Sequence, residues 1–199
     1  MHQTELPRNQ PAPEAGGPTA VVLNGSALEA SSPDASARAR SYAWDDPAIS
    51  AAAAREQDGT AFLQAILDGT LPAPPIARTL DFAPVSVEPG TVVFEFTPAE
   101  FHYNPIGSVH GGMISTLCDS ACGCAVQSLL PAGTYYTSLD LSVKFLRPVS
   151  AGAGPLTCTG TVTHLGGRSA LAEARLTGSD GKLYAFATSS CMIFRPAAG

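Results

Sequence analysis

Between His110 and Asp140 this 199-residue chain carries one charged residue, Asp119. From about 110 to 130 the residues Met113, Ile114, Leu117, Ala121, Ala125, Val126, Leu129 and Leu130 recur at helical spacing, and Pro131-Ala132-Gly133 ends the run. A helix that is apolar on nearly every side is buried on nearly every side. The rest of the chain therefore has to enclose it, which rules out most ways of folding a sequence of this length.

The flanking segments suit that task because they read as strands. Residues 76–87 are expected to form one strand, with Pro84 marking an edge or a bend. Residues 91–97 alternate Val92, Phe94 and Phe96 against Val93, Glu95 and Thr97. Beyond the helix, 134–149 sets Leu139, Leu141, Val143 and Phe145 against Ser138, Asp140, Ser142 and Lys144. Segments 156–165 and 169–176 flank the tight turn Gly166-Gly167-Arg168, and Ser179-Asp180-Gly181 introduces a last strand over 182–194. Two strands, a buried helix and four more strands give an α+β architecture, a curved antiparallel sheet wrapped around one central helix. Upstream, Asp45 or Asp46 with Pro47 opens a helix, a second covers 61–67, and Pro72, Pro74 and Pro75 form a rigid connector. The expected organisation is a Pro/Ala/Ser-rich flexible leader (1–43), a helical extension (44–70) and a sheet-and-helix domain (71–196).

Composition narrows the function. Hydrophobic residues make up 45% and charged ones 14% of the chain, enough for a substantial core. A formal charge of −6 argues against nucleic-acid partners. No apolar run reaches the eighteen or so residues of a membrane span, and residues 1–18 lack the features of a secretion signal, so a cytoplasmic location is expected. Cys118, Cys122, Cys124, Cys158 and Cys191 form no zinc-like spacing and read as small core thiols, with no metal expected.

The chemistry gathers in Asn104-Pro105-Ile106-Gly107-Ser108-Val109-His110-Gly111-Gly112 and the Asp119 that follows. Gly111 and Gly112 let a ligand approach the backbone closely. The helix start there presents unpaired N–H groups and positive dipole to a carbonyl oxygen gaining charge. Asp119 lies eight residues beyond Gly111, about 12 Å along a helix rising roughly 1.5 Å per residue. One carboxylate cannot reach a carbonyl held at its own helix's start. A second copy running antiparallel about a two-fold axis could supply it, so the spacing predicts a site at a subunit interface.

Asn104-x5-His110-Gly111-Gly112-x6-Asp119, Phe145-Leu146-Arg147-Pro148 and the Gly166-Gly167-Arg168 hairpin together resemble the hotdog-fold acyl-CoA thioesterases, in particular the PaaI-like branch from phenylacetate metabolism. The resemblance covers about 71–195. It implies an acyl-CoA substrate, no cofactor, and a homodimer or homotetramer. It further implies that the Gly111 N–H and the Asn104 amide polarise the thioester carbonyl, with Asp119 as general base or nucleophile. Ser138, or Thr137 if the preceding loop is one residue longer, would hold the attacking water. His110 and Gly112 are candidate substrate contacts, and Gly167 with Arg168 a candidate grip on the CoA phosphates. Each has a plainer reading: Asp119 satisfied by Ser115 or Thr116, Asn104 and His110 as turn residues, the hairpin as a turn. Two other functions compete, a non-catalytic hotdog domain that binds or senses acyl-CoA and a hotdog hydratase. Asp119 favours the thioesterase over the first. The second would need histidine and acid close together at the helix start.

Overall fold

The helix at the centre is α4, Gly111–Gln127, and most of its side chains are buried. In this computed structural model, which describes residues 38–195, it lies against a seven-stranded antiparallel sheet. The strands are β1 (Phe82–Glu88), β2 (Thr91–Phe96), β3 (Tyr135–Ser138), β4 (Ser142–Phe145), β5 (Leu156–Leu165), β6 (Ser169–Gly178) and β7 (Leu183–Phe194). Their order across the sheet is β1-β2-β5-β6-β7-β3, with β4 also paired to β7. The leader expected over 1–43 lies outside the described residues except for 38–43, which have no regular secondary structure.

Small side chains set how closely helix and sheet approach. Ala172 and Ala174 of β6 and Ala185 and Ala187 of β7 are fully buried, as are Ala121, Cys122 and Ala125 of α4. Beneath Ala121 lies Gly160 of β5, where a Cβ would stand 2.0 Å from the Ala121 carbonyl oxygen. Strand and helix therefore meet backbone to backbone. Larger residues fill the flanks, with Leu117, Leu156, Leu176 and Phe96 almost wholly inaccessible. Each such side chain contributes about 1.5–3 kcal/mol on burial.

Three helices precede the sheet: α1 (Pro47–Glu56), α2 (Gly59–Leu67) and α3 (Pro75–Leu80). Asp46 caps α1, its carboxylate accepting the Ala48 N–H, with Pro47 in the first turn as the sequence predicts. Asp58 caps α2, and the Gly59 N–H donates to the Leu130 carbonyl at 2.9 Å, joining α2 to the end of the α4 segment. α2 also packs against β1.

Two segments differ from expectation. Residues 76–80 are helical, and the strand begins at Phe82. Pro75 opens α3, its fixed φ suiting a first helical turn, and Asp81 ends it at φ 57°. The expected strand over 134–149 is two strands on the same edge of β7, broken at Asp140. There the Asp140 carboxylate accepts the Ser190 N–H and its carbonyl accepts the Ser189 hydroxyl, so the chain bends. Pro84 does lie in the edge strand, beside a register shift.

Candidate active site

At the start of α4, His110 is the capping residue. Its Nδ1 accepts the Gly112 N–H at 2.9 Å and its own N–H donates to the His102 carbonyl. The Gly111 N–H has no acceptor among the described residues. Gly111 instead borders a surface cavity of about 310 Å³, shared with Ser108, Ile114, Phe145 and Arg147. The Phe145 ring, half exposed, lies over Gly111 so closely that a Cβ there would come within 3.1 Å of it. Asn104 shapes the loop leading in: its Oδ1 accepts the Ile106 and Ser108 N–H groups, and its Nδ2 donates to the Ser108 hydroxyl at 3.0 Å. A side-chain amide has two N–H donors, so one is left for a ligand. His102 is a satisfied buried histidine, Nδ1 accepting from Ala99 and Nε2 donating to the Leu80 carbonyl.

Two turns further along, Ser138 donates to Asp119 Oδ1 at 2.8 Å. The plainer reading of Asp119 fails: Ser115 and Thr116 donate to the Gly111 and Gly112 carbonyls of their own helix instead. Thr137, the alternative to Ser138, is exposed, because successive residues of β3 face opposite sides of the sheet. Asp119 borders two spaces. One is an open cleft of about 380 Å³ shared with Ser115, Thr116, Ser138 and Leu139. The other is an apolar pocket of about 160 Å³ under α2 and α3.

Cys124, read from the sequence as a core thiol, also lines that pocket, as does Tyr136, which no sequence motif marks. Burial pushes the Cys124 thiol up to about 12, with a smaller push from Asp119. Burial raises the Tyr136 phenol well above its usual range, reinforced by Cys124 and Asp119. Both are neutral near pH 7. The strand alternation that turns Ser138 inward turns Tyr136 inward too, and this was the available signal. Four of the five thiols are buried and all are free. Among the described residues, no three His, Cys, Asp or Glu side chains are grouped to hold a metal.

The remaining candidates fall into two groups. Helix α4 is unbroken from Gly111 to beyond Asp119, so the two lie about 12 Å apart along its axis. Arg147 keeps company with Gly111, its N–H donating to the Tyr184 carbonyl and its guanidinium to the Leu183 carbonyl. Arg168 and Gly167 lie at the tip between β5 and β6, where the Arg168 carbonyl accepts the Ile193 N–H. Tyr184 and Ile193 are nine residues apart on β7, or about 30 Å. Cys191 pairs with Ser138 on one side and Ala170 on the other, which puts the tip at Asp119's end of the sheet. One chain thus holds a half with Gly111, Asn104 and Phe145 and a half with Asp119 and Ser138.

Residues 106–185 match the family described as the Thioesterase superfamily. An esterase-named protein of Saccharolobus solfataricus is 32% identical over 120 residues, which cover 60% of this chain and 84% of that one. The chain belongs to the thioesterase superfamily. Human acyl-coenzyme A thioesterase 13 is 32% identical over 102 residues, 51% of this chain and 71% of its own. Among solved structures, a thioesterase-type phenylacetic acid degradation-related protein from Ralstonia eutropha JMP134 is 30% identical with a TM-score of 0.60, covering 65% of this chain and 98% of that one. The sheet around α4 is accordingly the hotdog fold, and the chain is an enzyme of the thioester hydrolase class. The matched residues take in Gly111, Asp119, Ser138 and Arg168, with Asn104 two positions before them. Among the described residues no helix is long and apolar enough to cross a membrane.

Proposed function

We propose that this thioesterase hydrolyses acyl-CoA, and that each active site draws on two protomers. The Gly111 N–H and the Asn104 amide of one protomer hold the thioester carbonyl. Asp119 of its partner, oriented by that partner's Ser138, takes a proton from water, which attacks the carbonyl carbon, or attacks that carbon itself. Negative charge gathers on the carbonyl oxygen and is met by the two donors. Collapse expels CoA as a thiolate, which takes up a proton; where the carboxylate has attacked directly, water then hydrolyses the mixed anhydride, releasing the carboxylic acid and restoring Asp119. Removing one such donor typically costs about 10²–10³ in rate. His110 and Gly112 fix the rim of the site, and Gly167 with Arg168 meet the CoA phosphates.

The observation that carries the reading is the 2.8 Å hydrogen bond from Ser138 to Asp119, at the wall of an open cleft. It orients an acid along a helix whose Gly111 N–H has no acceptor among the described residues and lies about 12 Å away along the same axis. The acyl-CoA-directed human relative supports the choice of substrate.

The test is release of free thiol from a panel of acyl-CoAs by the pure protein, with Asp119→Asn beside it. Turnover should fall by at least a hundredfold in the variant, since general acid–base catalysis contributes about 10²–10⁴. Its Tm and mass in solution should be retained. A parent protein that binds acyl-CoA but releases no thiol would point to the sensing role instead. Undiminished turnover in Asp119→Asn would remove the acid from the mechanism.

A further inference from the structure

We propose that the pocket behind Asp119 receives the acyl group of the substrate, and that it limits this group to about six carbons beyond the carbonyl, as a ring or a chain. The inference rests on the thioesterase reading given above and adds the substrate class.

Asp119 is the only Asp, Glu, Lys, Arg or His lining this pocket. Ser120, Cys124 and Tyr136 are its other polar lining, and most of the wall is apolar, with Leu63 and Ile66 from α2, Ile76 and Ala77 from α3, and Phe94 from β2. A space walled mainly by aliphatic and aromatic side chains favours a hydrocarbon occupant over water, which needs two to four polar partners for every molecule held. Asp119 also borders the open cleft. A carbonyl carbon presented to Asp119 therefore has two ways to direct its substituents. The polar pantetheine arm suits the open cleft; the hydrocarbon suits the pocket. The volume sets the limit. About 160 Å³ is close to the roughly 150 Å³ of an apolar cavity that accommodates benzene, six carbons in a ring. Four lining residues come from α2 and α3, so these helices, which precede the hotdog sheet in the chain, become size-determining elements.

The experiment measures kcat/KM of the full-length protein on straight-chain acyl-CoAs from two to fourteen carbons, with a phenyl-bearing acyl-CoA alongside. Each methylene that enters the pocket should raise kcat/KM about fourfold, from about 0.8 kcal/mol per buried CH₂. The rise should stop near seven or eight carbons in total, and the phenyl substrate should fall near the maximum. Ile76→Ala removes a half-exposed part of the wall and should move the maximum to longer chains; Ala77→Leu fills the pocket and should move it to shorter ones. A length profile that stays flat or climbs through fourteen carbons would overturn the proposal, as would maxima unmoved by both substitutions. If no acyl-CoA is hydrolysed at all, the thioesterase reading itself has failed. Hydrolysis without length selection defeats the pocket assignment alone.

Discussion

Replacing Gly160 by alanine tests whether the contact between helix and sheet also sets the geometry at Asp119. The new Cβ would stand 2.0 Å from the Ala121 carbonyl oxygen and 2.3 Å from its carbon, where ordinary contact begins at 3.4 Å. About 1.4 Å has to be found, and both opposing atoms are backbone within an unbroken helix, so no side chain can turn aside. Overpacking a core costs about 1–3 kcal/mol, and a rigid obstacle belongs at the upper end. For a protein of 150–250 residues each kcal/mol lowers Tm by about 2–4 °C, so a fall of about 6–12 °C is expected. If α4 lifts away from β5 to make room, it carries Asp119, two residues before Ala121, away from Ser138. A displacement of about 1 Å can cost a hundredfold in rate. Thermal unfolding by circular dichroism and steady-state thiol release on the same preparation read both effects. Gly152→Ala is the control, since its nearest neighbour to a new Cβ is the Ser150 hydroxyl at 3.9 Å. A Gly160→Ala protein matching that control in Tm and turnover would refute the close-approach argument.

Ser138→Ala should lower kcat by about ten- to a hundredfold, because a hydrogen bond to a charged group contributes about 1.5–3 kcal/mol; Thr137→Ala, on the opposite face of β3, should stay within about twofold, and equal effects would contradict the assigned roles. A concatenated dimer with Asn104→Ala in one half and Asp119→Ala in the other should keep one intact site and about half the activity. Placing both changes in the same half should impair both sites, and the reverse pattern would show that each site is built within one protomer. Stability should fall as pH rises from about 9 towards 12: the folded protein keeps the Cys124 thiol protonated to about 12 against 9.0 for a free thiol, so in that window the unfolded chain binds fewer protons. Urea unfolding at pH 8 and pH 11 measures this, and Cys124→Ala should reduce the difference; equal stability at the two pH values would contradict the burial of the thiol.

How much of this was legible depended on whether a local pattern distinguishes one face from another. It does for β2 and β5, which alternate, and for α4, whose unbroken apolar run announces burial. It does not for 76–80, where Ile76, Thr79 and Leu80 suit a strand as well as a helix, and where Pro75 reads equally as connector or helix opener. The choice between Ser138 and Thr137 has the same origin. Alternation says that one of the two faces inward, but only pairing with the buried Cys191 says which. The pocket was out of reach altogether, because Leu63, Phe94 and Tyr136 meet across long sequence separations with no shared motif.

The α4 run also concealed a narrow polar stripe. Gly112 is exposed and Ser115, Thr116, Asp119 and Ser120 are half-buried, following one another at steps of three and four along a single side of the helix. Two of these residues direct their hydroxyls to the helix's own carbonyls, so the stripe offers small, flat contacts rather than outward-reaching donors. Small residues are what let two backbones approach, as they do where Gly160 meets Ala121. In the proposed dimer a second α4 lies antiparallel along the stripe, with the two-fold axis passing between Ser115 and Thr116. That axis carries residue 112 onto 119 and residue 111 onto 120, bringing each helix start to the other's acid. The spacing of eight between Gly111 and Asp119, too long for one chain to close, would be bridged by such a crossing to within one residue. In the proposed dimer, the feature that leaves each chain with half a site is thus the one that would let two chains complete a pair.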